Sequence, residues 1–183
     1  MGLATFKGGI HPYEGKELSE SKPVSVLQPK GEMVFPLSQH IGAPAKPLVA
    51  KGDHVLVGQK IGEPGGFISA CVISSVSGTV KALEPRMVAN GAMVPSIIVE
   101  NDGKYETVEG FGRDRDPKTL SKEEIRNIVK EAGIVGLGGA GFPTHVKLTP
   151  KDESAIDTII VNGAECEPYL TSDYRMMLEE PES

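Results

Sequence analysis

The residues with the clearest capacity for chemistry lie in a glycine-rich stretch, GLGGAGFP, at positions 136–143. Its spacing matches G-x-G-x-x-G, in which glycines let backbone N–H groups approach an anionic or flat ligand with no Cβ in the way. An ordinary dinucleotide-binding turn follows a strand, whereas this stretch follows a predicted helix that ends near Gly133. The alternatives are therefore a ligand-binding loop of another kind and a mobile glycine loop.

A second polar stretch, NGAECEP at 162–168, follows some twenty residues further on. It comes directly after Ile156 to Val161, a largely β-branched run that predicts a buried parallel strand. Ligand crevices commonly open at the carboxyl ends of such strands. The amide and carboxylate groups of the stretch suit hydrogen bonding to amides, to ribose or to a flavin ring. The two stretches together predict a binding site more specifically than either alone.

Two helices are expected around these stretches. Ser121 and Glu124 form a capping box, and the apolar residues that follow recur at helical spacing until Gly133. Thr171 or Ser172 then caps a last helix that continues to Glu179. One strand and two helices bury little core, so this region is interpreted as the truncated start of an α/β domain.

The first hundred residues predict a β-rich body. Short β-favouring runs alternate with turn residues, which favours a small sandwich or barrel. The turns Lys51-Gly52-Asp53 and Ser77-Gly78-Thr79-Val80 are expected to belong to interlocked hairpins. The predicted strands are 24–27, 32–35, 47–49, 54–57, 67–73, 79–83 and 96–99.

This pattern of turns resembles the barrel-sandwich hybrid of biotinyl and lipoyl carrier domains. The expected hairpin tip at 63–67 has no lysine, and Lys60 nearby lacks the neighbours of a modified lysine, so a structural or docking role is favoured. The polar segment from Asn101 to Lys118 predicts a linker. The expected domains are 1–116, β-rich and barrel-sandwich-like, and 117–183, an incomplete α/β domain.

Composition excludes several classes of protein. A net charge of −6 without a run of Lys and Arg argues against nucleic acid as a partner. Cys71 and Cys166 cannot hold an iron-sulfur cluster alone, and the four histidines lack ligand spacing, so no metal is expected. No apolar run approaches the roughly 20 residues that cross a bilayer, so membrane association is expected through partners, without direct insertion.

The two ligand-binding stretches resemble a known pair of loops. GLGGAGFPTHVKL and VNGAECEP are similar to the flavin loop and the acidic loop of the NADH-binding subunit of respiratory complex I. Together with FKGGIHP at 6–12 and SSVSG at 74–78, they resemble the C subunits of Rnf ion-pumping complexes, as an amino-terminal fragment. The second resemblance covers essentially the whole chain.

The resemblance implies roles for residues at matching positions. Lys147 and the loop glycines, with Asn162 and Glu165, would hold flavin mononucleotide (FMN), while Phe142 and Glu167 would face NADH. The sequence departs from the complex I pattern at Leu137, usually arginine, and at Ala164, usually an acid, which puts nucleotide orientation in question. No residue is assigned a catalytic role, because the flavin performs the hydride chemistry. The glycines of the expected site are Gly136, Gly138, Gly139 and Gly141.

The resemblance also implies a function. The chain would belong to an electron-transfer subunit of a membrane-associated, ion-translocating ferredoxin:NAD oxidoreductase, peripheral on the cytoplasmic face. Its partners would be other subunits of that complex, with ferredoxin or NADH as redox partners. Iron-sulfur clusters are expected only in the full-length subunit, so the fragment alone should be inactive. The alternative is a non-catalytic docking module for neighbouring subunits.

Overall fold

The computed structural model describes residues 8–10, 12–137 and 141–182, which form two compact units. The larger unit runs from Gln28 to Ile156. The smaller unit combines the described residues up to Leu27 with those from Asp157 onward.

A four-stranded antiparallel sheet forms one side of the larger unit, in the order β1-β7-β6-β3. Its centre is the long hairpin of β6 and β7, which pair from Gly78 with Asn101 to Met87 with Met93. The bounds of its strands are β1 Glu32–Pro36, β3 His54–Val55, β6 Gly78–Met87 and β7 Met93–Asn101.

A second, three-stranded antiparallel sheet has the order β2-β4-β5, with β2 at Lys46–Pro47, β4 at Lys60–Glu63 and β5 at Val72–Ile73. Apolar side chains from both sheets form one core. Burial of this apolar surface is the main stabilising term for the domain. The β-rich architecture expected from the sequence is confirmed. The core residues are Phe35, Leu37, Ala45, Val55, Ile61, Val72, Val76, Val80, Ile97 and Val99.

The two predicted turn motifs meet as expected. His54 pairs with Thr79 and Val55 with Gly78, and the backbone N–H of Gly52 donates to the carbonyl of Val80 at 2.8 Å. Strands β3 and β6, which are distant in sequence, are thereby joined in one sheet.

Two helices follow the sheets in the same unit, α1 at Lys122–Glu131 and α2 at Thr144–Lys147. The capping box predicted at the start of α1 is present: the Ser121 hydroxyl accepts from the Glu124 N–H, and the Glu124 carboxylate accepts from the Ser121 N–H. Single turns of 3₁₀ helix lie at Pro117–Thr119 and Glu153–Ala155.

The smaller unit joins an N-terminal segment to helix α3, Ser172–Glu179. The Glu179 carboxylate accepts from the backbone N–H of Val24 at 3.0 Å, and the rings of Tyr13 and Tyr169 meet edge to face at 6.1 Å. A 3₁₀ turn lies at Lys16–Leu18.

Two predicted strands are absent from the structure. Residues 24–27 and 156–161 have no strand pairing, and most of their apolar side chains are exposed, Ile160 to 88%. A strand needs a neighbour to satisfy its backbone groups, and no described segment pairs with either run. The strand prediction is therefore wrong for both runs in this structure.

Within the described residues, no helix combines the length and the apolar character needed to cross a bilayer.

Candidate functional site

Backbone hydrogen bonds close the glycine-rich stretch at its base. The N–H of Gly136 donates to the carbonyl of Phe142, and the N–H of Thr144 donates to the carbonyl of Ile134, each at 3.0 Å. Val135 and Pro143 form an antiparallel bridge between these bonds. These contacts hold the loop at both of its described ends. Gly138 and Gly139 of the expected site lie outside the described residues.

Lys147 lies against the first glycine of this loop. An ideal Cβ on Gly136 would fall 2.6 Å from Lys147 Nζ, so the ammonium occupies space that any side chain at 136 would need. Within the described ranges Lys147 makes no ion pair and donates no side-chain hydrogen bond. An exposed cation beside the half-buried Gly136 favours an anionic ligand.

Helix α1 fixes the short helix that carries Lys147. Arg126 donates from Nε to the carbonyl of Leu148 at 2.7 Å and contacts the Glu153 carboxylate, which also accepts from Lys122 at 3.2 Å. Arg126 lowers the pKa of the Glu153 carboxyl, followed by Lys122. The carboxylate is thus kept charged and holds Arg126 against the end of α2.

The last glycine of the loop is seated on the β-rich part of the unit. Gly141 is buried with φ of +65°, a conformation that favours glycine. An ideal Cβ there would fall 2.8 Å from the carbonyl oxygen of Gln39 and 3.0 Å from Cα of His40. No side chain fits at this contact without movement of backbone.

His40 holds in place the backbone that Gly141 contacts. It is 9% exposed, its Nε2 accepts from the N–H of Ala70 at 3.1 Å, and its Nδ1 lies 3.1 Å from the carbonyl of Ile41. Acceptance at Nε2 places the proton on Nδ1, which donates to Ile41. Burial shows that His40 is an internal support of this segment.

Strand β4 and the loop that follows it contact the same helices. Lys60 pairs with Glu131 at the end of α1, and this carboxylate raises the pKa of the Lys60 ammonium. His145 of α2 approaches the carbonyl of Phe67, and burial is the main cause that lowers the pKa of its imidazole. Lys60 therefore joins strand β4 to the end of α1 by an ion pair.

A pocket of about 590 Å³ opens between the glycine loop and the β-rich part. Its lining comes from residues 38–41, from the tip of the β6–β7 hairpin at 88–90, and from 135–137 with Gly141. Its volume lies in the range of small-molecule sites, roughly 300 to 1,000 Å³. We call this the loop pocket.

The second predicted stretch lies in the smaller unit. Asn162 Oδ1 accepts from the N–H of Ala164 at 3.0 Å, and Glu165 Oε1 accepts from the N–H of Tyr174 at 3.1 Å, in the first turn of α3. Glu167 is exposed. These three residues share one segment, whereas Gly136, Gly141, Phe142 and Lys147 belong to the larger unit.

Sequence comparison defines the class of protein. Residues 4–104 match the family model of the RnfC barrel sandwich hybrid domain, and residues 129–183 match that of the Nuo51 FMN-binding domain. The protein thus has a barrel-sandwich hybrid domain followed by the start of an FMN-binding domain, as the sequence predicted. The chain belongs to the RnfC family.

Curated relatives support this assignment. The chain is 46% identical to the C subunit of the proton-translocating ferredoxin:NAD(+) oxidoreductase complex of Clostridium ljungdahlii, over 97% of this chain and 39% of the relative. It is 45% identical to the Na(+)-translocating counterpart of Acetobacterium woodii, over 97% and 40%. It is 41% identical to the C subunit of the ion-translocating oxidoreductase complex of Rhodobacter capsulatus, over 97% and 34%. The chain spans about two fifths of the first two relatives.

Proposed function

We propose that this chain is part of an electron-transfer subunit of a membrane-associated, ion-translocating ferredoxin:NAD oxidoreductase, and that it holds FMN on its glycine loop. The names of the relatives and the match to an FMN-binding domain support this. The observation that carries it is the Lys147 ammonium beside Gly136, for which the described residues provide no ion-pair partner. Phe142 and Glu167 would face NADH, as the resemblance to complex I implies.

The described residues fit a flavin with a phosphate group. Lys147 offers a positive charge to the phosphate beside Gly136. The N–H of Gly136 already donates to the carbonyl of Phe142, so the Lys147 ammonium is the donor that a ligand can use at this end of the loop. The half-buried Phe142 ring would remain available to stack on the nicotinamide of NADH.

Asn162 and Glu165 are also proposed to hold FMN, because their segment is similar to the acidic loop of complex I. The amide nitrogen of Asn162 makes no hydrogen bond to any described residue, so it is available to a ligand. Glu165 orders α3 with one oxygen and retains the other. A bound flavin supplies the hydride and electron chemistry itself, while these groups orient it.

The wider setting extends this proposal. Iron-sulfur clusters in the full-length subunit would receive the electrons, other subunits would anchor it, and ferredoxin would be a redox partner. The domain boundary near residue 116 belongs to the same proposal. The subunit would sit peripherally on the cytoplasmic face of the membrane.

Flavin fluorescence during titration tests the proposal. We expect firm FMN binding by the full-length protein and weak or undetectable binding by residues 1–183. Lys147→Gln should weaken binding by the full-length protein about tenfold or more, as for a lost charge-assisted hydrogen bond. Lys151→Gln, at an exposed lysine nearby, is the matched control. Failure of the full-length protein to bind flavin would refute the proposal.

A docking module is the second candidate function. Met87 and Met93 face solvent at 73% and 62% and pair across the β6–β7 hairpin. Exposed methionines adapt to varied partner surfaces. Loss of complex assembly in Met87→Ser with flavin binding retained would favour docking by this hairpin.

A further inference from the structure

The β-rich part of the larger unit provides two walls of the loop pocket. One is the segment 38–41 and the other is the hairpin tip at 88–90, both facing the described ends of the glycine loop. A ligand held by that loop would therefore have the barrel-sandwich domain beside it.

Both walls are held by their own hydrogen bonds. At the hairpin tip, the N–H of Val88 donates to the carbonyl of Ala92 at 2.9 Å, and the N–H of Gly91 donates to the carbonyl of Val88 at 2.8 Å. The N–H of Ala92 also donates to Asn90 Oδ1 at 2.9 Å. The tip is therefore a defined turn.

The second wall is tied to the strands below it. The N–H of Leu37 donates to the carbonyl of Pro95 at 2.9 Å, and Gln39 Nε2 donates to the carbonyl of Pro36 at 3.0 Å. His40 fixes the segment to Ala70. A wall with so many fixed groups loses little conformational entropy when a ligand binds.

The side chains that line the pocket indicate which part of a ligand can bind there. None of the described lining residues is Asp, Glu, Lys or Arg. Ile41, Val88 and Val135 offer apolar surface, and Gln39 and Asn90 offer amide groups. Lys147 contacts Gly136 but does not line the pocket. Such a lining suits an uncharged planar ring with polar edges and does not suit a phosphate.

We propose that the ring system of the flavin occupies the loop pocket, so that the barrel-sandwich domain forms two walls of the flavin site. This inference rests on the proposed function and adds to it a role for the barrel-sandwich domain in binding the cofactor. Lys147 serves the phosphate, and the segments 38–41 and 88–90 confine the ring.

Two substitutions at one turn test the proposal in the full-length protein. Ala89 lines the pocket, so Ala89→Trp fills it; Ala92 is exposed in the same turn and does not line it, so Ala92→Trp is the matched control. Ala89→Trp should raise the dissociation constants of riboflavin and FMN by similar factors, about tenfold or more, because the indole takes the volume of the ring. Ala92→Trp should change either constant by less than about twofold.

Further variants distinguish binding of the flavin ring from binding of the flavin phosphate. Lys147→Gln should weaken FMN binding and leave riboflavin binding unchanged, because riboflavin has no phosphate. Ile41→Trp fills the pocket from the opposite wall. It replaces Ala89→Trp if thermal unfolding shows that Ala89→Trp is not folded.

Equal flavin affinities in Ala89→Trp and Ala92→Trp would overturn the inference, as would a loss confined to NADH. Absence of FMN binding by the unsubstituted full-length protein would instead refute the proposed function. The two failures are therefore distinguishable in one set of titrations.

Discussion

The Lys147 ammonium lies where a side chain at position 136 would have to be, with its Nζ 2.6 Å from an ideal Cβ on Gly136. Nζ is the end of a flexible chain, so it is the ammonium, and not the loop backbone, that an added methyl group displaces. Position 136 therefore controls where the positive charge sits.

Gly136→Ala should weaken FMN binding by the full-length protein with little change in stability. The expected rise in the dissociation constant is severalfold, since the ammonium shifts but keeps its charge. Titration by flavin fluorescence measures the affinity, and thermal unfolding measures the stability. An unchanged affinity would show that the ammonium does not contact the ligand.

Gly141→Ala should have the opposite pattern. Its Cβ meets backbone at 2.8 Å and its φ is +65°, so the substitution strains the chain by about 1–3 kcal/mol. Denaturant unfolding should report this loss in residues 1–183 without any ligand. Gly110→Ala is the control, since its φ is also positive at +75° while nothing lies within 4 Å of its Cβ. Equal losses in the two variants would refute the close contact with Gln39.

The contrast between these glycines shows what the sequence could and could not predict. The closeness of Gly136, Phe142 and Lys147 is local, because a short loop and one helical turn join them, and the motif predicts it. The seat of Gly141 on His40 joins segments about a hundred residues apart, and neither hydrophobic periodicity nor capping carries information about it. Whether the two predicted loops meet stays a prediction.

The same distinction applies to the fold. Strands β6 and β7 and helix α1 were predicted because alternation and a capping box specify them locally. Strand β4 was missed because Lys60–Glu63 is short and has no alternation of apolar residues, and pairing with β2 and β5 decides its conformation.

Lys60 should carry no lipoyl or biotinyl group. It lies in β4, away from the tip at 63–67, and its ammonium is paired with Glu131. Intact mass spectrometry of the protein from its native host should give the mass of a chain that carries no group on Lys60. A mass increment that maps to Lys60 by peptide analysis would contradict this prediction.

Stability should fall as the solution is acidified through the range in which His145 titrates. Burial lowers the pKa of His145 below its ordinary value of 6.5, so the unfolded chain binds a proton there more readily than the folded one. Stability is therefore full above pH 6.5 and is lost as pH falls toward the lowered value. Thermal unfolding from pH 8 to pH 5 should show this loss, and His145→Gln should reduce it. An identical pH profile in the variant would exclude His145 as the cause.

The apolar run 156–161 should pair with further strands in the full-length protein. Its β-branched residues favour a strand, yet they are exposed and unpaired here, and the curated relatives are about two and a half times as long as this chain. Additional strands would satisfy both the backbone groups and the apolar faces of the run. Hydrogen exchange should therefore be fast at these amides in residues 1–183 and much slower in the full-length protein, while the amides of β6 and β7 exchange equally slowly in both. Fast exchange at 156–161 in both proteins would show that the run is not a strand of the FMN-binding domain.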